Sequence, residues 1–278
     1  MYLATISSEN GAVPVAVDQA RGVAAVRDVI PGAPHTTMGV IEQVASDEFV
    51  SAVRSAPDSV FRPLDGARFE APYRHPHKIW GIGLNYVEHA ADLTESVPDE
   101  PASFMKGDHT IIGAEEPIPI PAQSERVTAE AELGLVMGRH CYGVDEGSAL
   151  EHVWGVCTVL DQTTEDILAR NPRFLTRSKN FPGFFSFGPA IVPLSEVGPL
   201  ADLEVSTLLN GEVHRKNRVA LMRYSPEFLV AFHSQVMPFF PGDLLSTGTP
   251  GAAHIRAGDR AGCVIPGVGE LSNPVTGA

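Results

Sequence analysis

Glu130 and Glu132 stand two residues apart in Val127-Thr128-Ala129-Glu130-Ala131-Glu132-Leu133-Gly134-Leu135-Val136-Met137-Gly138. Side chains along a strand alternate between its two faces. Ala129, Ala131, Leu133, Leu135 and Met137 therefore share one apolar face, and both glutamates project from the other, with Gly134 expected to leave open space beyond them. A helix, turning ~100° per residue, would set the two carboxylates roughly opposite each other. Like charges this close repel, and a buried pair needs protons or a cation. A third carboxylate, Asp161, follows the apolar run His152–Leu160, which reads as a buried strand ending at that aspartate. Three carboxylates with no Cys or His ligand pattern select a hard cation, Mg²⁺, Mn²⁺ or Ca²⁺, and disfavour zinc. The plainer alternatives are an edge strand with a solvated acidic face and, for Asp161, a helix cap.

Other residues could supply the remaining chemistry. Asn85, with Glu88 three residues on, resembles a capping box opening a short helix. On such a helix His89 and Asp92 lie on one face and can touch, an arrangement suited to a general base that activates water. Lys179 precedes the apolar Phe181-Pro182-Gly183, so its ammonium could be drawn inward to stabilise an enolate or oxyanion. Leu244-Leu245-Ser246-Thr247-Gly248-Thr249-Pro250-Gly251 reads as a buried strand opening into a glycine turn, whose N–H groups and hydroxyls suit a substrate carboxylate.

The elements that must position these groups are short strands between Gly and Pro punctuation. Strand-length runs occur at Lys78–Gly83, Val127–Gly138, Val153–Leu160, Leu203–Leu209, Asp243–Thr247 and Gly262–Ile265. Helices are expected around Asn85–Leu93, Thr163–Arg170 and Pro226–Gln235. The balance predicts an α+β, β-dominated fold and not alternating βαβ units. Residues 1–70, with runs at Val13–Val17 and Gly22–Val26 and a polar helix at Ile41–Arg54, predict a small β-rich N-terminal domain. A Pro-rich passage from Pro63 to Pro76 leads into the domain expected to be catalytic, 74–278.

Composition narrows the partners. The 278 residues are 44% hydrophobic and 19% charged, enough for a sizeable core. A formal net charge of −14 and the lack of a basic stripe argue against nucleic acid, while a bound cation could still reverse the local potential for an anionic small molecule. No apolar run reaches the ~18 residues a membrane span needs. Three scattered cysteines and an N-terminus without a secretory pattern point to a reduced, cytoplasmic protein.

Taken in order, these segments resemble the fumarylacetoacetate hydrolase family from Lys78 to Val275. The pieces that carry the resemblance are Gly83-Leu84-Asn85-Tyr86 with His89, Pro101 through Phe104 with Lys106, Glu130-Ala131-Glu132-Leu133, Asp161, Lys179 and Gly188-Pro189. Leu209-Asn210-Gly211-Glu212, Thr247-Gly248-Thr249-Pro250 and Asn273-Pro274-Val275 complete it. The resemblance implies a mixed β-sandwich roll, a homodimer, and Mg²⁺ or Mn²⁺ held by Glu130, Glu132 and Asp161. It also implies His89 as the water-activating base, Lys179 as the site lysine, and Tyr86, Gly248 and Thr249 at the substrate. Two positions depart from the family pattern: Asp92 stands where a glutamate is common, and Glu165 where an arginine is. The implied reaction is metal-dependent C–C hydrolysis of a small 2-oxo or 1,3-dicarbonyl acid of the acylpyruvate or fumarylacetoacetate type. Isomerisation or decarboxylation at the same metal site is the nearer alternative, and a non-catalytic metal-binding module the more distant one.

Overall fold

A computed structural model describes residues 1–9, 11–86 and 99–277. Its strands are β1 (Tyr2–Ser8), β2 (Gly11–Asp18), β3 (Gly22–Ala25), β4 (Ile79–Gly83), β5 (Ala102–Lys106), β6 (Ile111–Ile112), β7 (Ile118–Pro119), β8 (Val127–Met137) and β9 (Val153–Thr164). They continue with β10 (Phe185–Phe187), β11 (Val192–Pro193), β12 (Glu204–Leu209), β13 (Glu212–Arg218), β14 (Leu244–Ser246), β15 (Ala252–Ile255), β16 (Arg260–Ile265) and β17 (Gly269–Thr276). The principal sheet runs β5-β4-β14-β8-β9-β10-β6, with β15 also pairing β8 and β11 pairing β9. A second sheet, β13-β12-β16-β17-β7, packs against it, and β1-β2-β3 form a third. The β-dominated α+β fold expected from the strand spacing, and the sandwich the resemblance implies, are therefore what the chain adopts.

The central pair β8–β9 is antiparallel, and its register sets the site: Glu130 faces Asp161 and Glu132 faces Val159. The period-two reading of β8 holds. Ala129, Ala131, Leu133, Leu135 and Met137 all enter the core between the two large sheets, with Val156 and Leu160 of β9. The opposite face divides along its length. Val136, Cys157 and Val159 join a second core that includes Leu3, Val40, Ile41, Phe49, Val50 and Val53 from the N-terminal 70 residues. Trp154 ties the two together, its indole N–H donating to the Val44 carbonyl (2.9 Å) while Phe49 packs on its ring (centroids 5.4 Å). The rest of that face carries the carboxylates.

Several expectations need correction. Asp161 does not end its strand: β9 runs on to Thr164, because Gln162, Thr163 and Thr164 keep their register with Ala129, Thr128 and Val127. The helix that follows accordingly starts at Glu165 and spans Glu165–Arg170. The polar stretch Ile41–Arg54 is two helices, Thr37–Gln43 and Ser46–Ser55. Val44 and Ala45 are extended between them: Val44 is buried in the shared core, and Asp47 and Glu48 favour a fresh helix N-terminus. Helix Pro226–Ser234 forms where expected, capped by the Ser225 hydroxyl accepting from Phe228 N–H (3.1 Å). Most of the helix expected over Asn85–Leu93 lies outside the described residues. No helix among the described residues is long and apolar enough to cross a membrane.

Because the N-terminal residues share a core with the principal sheet, the two should unfold together. Phe49→Ala is expected to cost about 3–5 kcal/mol and to lower the urea midpoint of a single transition followed by both fluorescence and circular dichroism. Two separated transitions, with only the first shifted, would contradict the shared core.

Candidate active site

The three acids predicted from spacing converge on the free part of the β8–β9 face. Oxygen atoms of Glu130, Glu132 and Asp161 all lie within 4.8 Å of one another. Glu132 and Asp161 are each 1% exposed. Gly134 does not leave the open space expected beside them, since an added Cβ would meet Val159 Cγ2 at 2.7 Å and Cys157 Sγ at 2.8 Å. The glycine is there to let that packing close.

Two buried ammonium groups offset the acids. Lys179, at the end of helix Leu175–Lys179, donates to Glu130 Oε2 (2.8 Å) and Asp161 Oδ2 (2.5 Å). Lys106, on β5, donates to Asp161 Oδ1 and to the Gln162 carbonyl (3.2 Å). Its side chain is fully inaccessible. Both oxygens of Asp161 thus meet a lysine. Burial drives Lys106 down to about 8 despite the Asp161 carboxylate. Burial pulls Lys179 the same way, but Asp161, Glu130 and Glu132 together hold it above its ordinary value.

Hydroxyl and backbone groups fix the remaining oxygens. Thr163 Oγ1 donates to Glu130 Oε1 (3.0 Å). Ser246 Oγ and the Gly248 N–H (2.9 Å) both donate to Glu132 Oε2. Gly248 is held where it must be: at φ +99° an added Cβ would lie 2.8 Å from Asn85 Cβ. Asn85 is itself clamped, donating to the Tyr224 (3.0 Å) and Thr247 (2.8 Å) carbonyls and accepting from Tyr224 N–H (2.9 Å). Next to it Tyr86 is buried, and burial, then the Glu132 carboxylate, raise its phenol above the usual range. The Thr249 hydroxyl turns to Gly251, donating to its carbonyl (3.2 Å).

The structure therefore brings together Glu130, Glu132, Asp161, Lys179, Gly248 and Tyr86. His89 and Asp92 lie outside the described residues. Glu165 accepts from Arg126 at the open end of the β8–β9 pair. Lys106 is the site group that spacing alone did not single out. Its signal was present, since on β5 it shares the buried phase with Phe104, and a lysine in that phase needs an acidic partner.

The donor set fits a hard divalent cation, being all oxygen, largely buried and already oriented. Burial, followed by the Asp161 and Glu130 carboxylates, pushes Glu132 up to about 8. Comparison with known proteins points the same way. The family profile for the fumarylacetoacetate (FAA) hydrolase C-terminal region matches residues 78–276. A human mitochondrial oxaloacetate tautomerase is 31% identical over 254 residues, 88% of this chain and 81% of that protein. The crystal structure of 5-carboxymethyl-2-hydroxymuconate delta-isomerase from Mycobacterium smegmatis superposes with a TM-score of 0.78 at 28% identity, covering 100% of this chain and 99% of that one. Maleylpyruvate hydrolase from a Sphingobium species, solved with manganese(II) and pyruvate, superposes at 0.84 with 25% identity over all of both chains.

Glu132 gives the centre a pH dependence. A cation must displace its proton below about pH 8, so Mn²⁺ affinity should weaken by up to about tenfold per pH unit there. Stability moves with the opposite sign. The folded carboxyl holds its proton between 4.5 and about 8 while the unfolded one does not, so metal-free protein loses stability as pH rises through that window. Calorimetric titration with Mn²⁺ and thermal melts from pH 5 to 9 measure both. Glu132→Gln should flatten both profiles, and pH-independent binding by the unsubstituted protein would contradict the assignment.

Proposed function

This chain belongs to the fumarylacetoacetate hydrolase family, and from that premise we propose that it hydrolyses a C–C bond in a small 2-oxo or 1,3-dicarbonyl acid of the acylpyruvate or fumarylacetoacetate type. The observation that carries this reading is the buried constellation of Glu130, Glu132 and Asp161 on one sheet face with Lys179 reaching them from the end of a helix. Held by the three carboxylates, Mg²⁺ or Mn²⁺ would supply a Lewis acid and a template for the oxo-acid end of the substrate.

The chain's own residues account for the other parts. His89, oriented by Asp92, takes a proton from water, and the hydroxide equivalent attacks the carbonyl remote from the oxo-acid end. The C–C bond breaks with its electron pair leaving on the substrate fragment, where Lys179 stabilises the charge on the adjoining oxygen, and the proton taken by His89 returns to the carbon of that fragment to complete the hydrolysis. That ammonium is suited to the task because Asp161, Glu130 and Glu132 keep it cationic against the pull of burial. Ser246 and the Gly248 N–H fix the Glu132 carboxylate, and Tyr86 and Thr249 contact the substrate.

A second reading, isomerisation or tautomerisation through the same stabilised enolate, would use the same carboxylates and Lys179. The relatives named as an oxaloacetate tautomerase and a delta-isomerase are consistent with such chemistry.

Turnover of acylpyruvates, a fumarylacetoacetate analogue and oxaloacetate, with products identified by mass, separates the readings. Hydrolysis is expected with Mg²⁺ or Mn²⁺ and not with EDTA. Glu130→Ala and His89→Ala should each lower it by at least about 100-fold. Hydrolysis that persists in both variants would sink the proposal. If His89→Ala leaves a mass-neutral conversion intact while Glu130→Ala abolishes it, the isomerase reading replaces the hydrolase.

A further inference from the structure

The site face of the principal sheet continues past the carboxylates in one direction. Toward Glu132 it is closed, because Val159 lies opposite Glu132 and Phe187 opposite Val159, and both enter the core shared with the N-terminal residues. Toward the start of β8 the next same-face row, about 7 Å along the strand, is His254 on β15, Thr128 on β8 and Thr163 on β9. The parity is unambiguous. Ala252 pairs with Glu130 and His254 with Thr128, whereas Ala253 and Ile255 are buried on the other side of β15. In the row after that, Arg126 donates to Glu165.

This second row has donors to spare. Thr163 is committed to Glu130, but Thr128 Oγ1 is buried without a hydrogen-bond partner among the described residues. A buried hydroxyl left this way is destabilising unless something accepts from it. The imidazole of His254, half-buried on the neighbouring strand, also makes no hydrogen bond among the described residues. A side-chain hydroxyl and an imidazole therefore stand on paired, same-face positions of neighbouring strands, a single step from the acids.

We propose that His254 and Thr128 form a distal subsite that accepts an oxygen-bearing far end of the substrate, a hydroxyl, carbonyl or carboxylate, in preference to an alkyl end. The inference rests on the functional reading above, in that the oxo-acid end is taken to sit at the carboxylate cluster. His254 and Thr128 determine specificity, and the bond cleavage does not run through them.

The test uses Mn²⁺-loaded protein and a set of 2-oxo acids of equal chain length ending in methyl, hydroxymethyl or carboxylate. Binding is read by calorimetry and turnover by product mass. The unsubstituted protein should prefer an oxygen-bearing end by about tenfold, the value of one or two hydrogen bonds. In His254→Leu and Thr128→Val that preference ratio should collapse toward one. The hydroxymethyl and carboxylate arms show which terminus the subsite favours. A merely structural role would weaken all the acids alike and leave the ratio intact, which overturns the subsite, as does an unsubstituted protein indifferent to the far end. Discrimination in binding without turnover of any of the acids supports the subsite and counts against the reaction instead.

Discussion

Three carboxylates whose oxygens lie within 4.8 Å of one another cannot all remain charged in a dry sheet interior unless positive charge is brought to them. The rest of the site can be understood as the way this chain meets that constraint. Lys106 arrives from the edge strand β5 and Lys179 from the end of a short helix, so that each oxygen of Asp161 meets an ammonium. The third carboxyl, Glu132, has no ammonium of its own and is pushed up to about 8. The proton that burial holds on Glu132 sits where a divalent ion would gain most by replacing it. A cation held there, beside the two lysines, would turn the local potential positive, which suits an anionic substrate in a protein of net charge −14.

The fold serves this arrangement by splitting one sheet face into two zones. The N-terminal helices cover Val136, Cys157 and Val159, so water is excluded from one side of the acids, while the Thr128 side is left to polar residues. β8 carries the division, since its odd positions fill the core between the two large sheets and its even positions run from packing residues through the two glutamates to Thr128. A slip of one residue in its register would turn both glutamates into the apolar core, so the long pairing of β8 with β9 is also what fixes the chemistry.

How much of this was legible in the sequence depended on the range of the interaction involved. The alternation of Glu130 and Glu132 against five apolar neighbours is local, and it correctly placed both acids on one face of a strand; that this is a central strand and not an edge with a solvated acidic face follows from its pairing with β9, β14 and β15. Asp161 was found for the right chemical reason but misplaced at a strand end, because β-sheet pairing with Val127 and Thr128 carries β9 further than its apolar run. Lys106 escaped a reading by spacing because its partner is 55 residues away. Thr163, Ser246 and the clamp around Asn85 were equally invisible, being defined only by which strands become neighbours. The division of Ile41–Arg54 into two helices likewise followed from a tertiary demand, the burial of Val44, that no helical periodicity records.

The account stands or falls on the carboxylates forming a single cation centre, and the most direct measurement is anomalous diffraction from crystals grown with Mn²⁺ and recorded at the manganese edge. The account predicts one strong peak within bonding distance of Glu130, Glu132 and Asp161. A peak elsewhere, or none with Lys106 and Lys179 still bonded to Asp161 at saturating Mn²⁺, would contradict it and leave the acids as a purely internal ion-pair network.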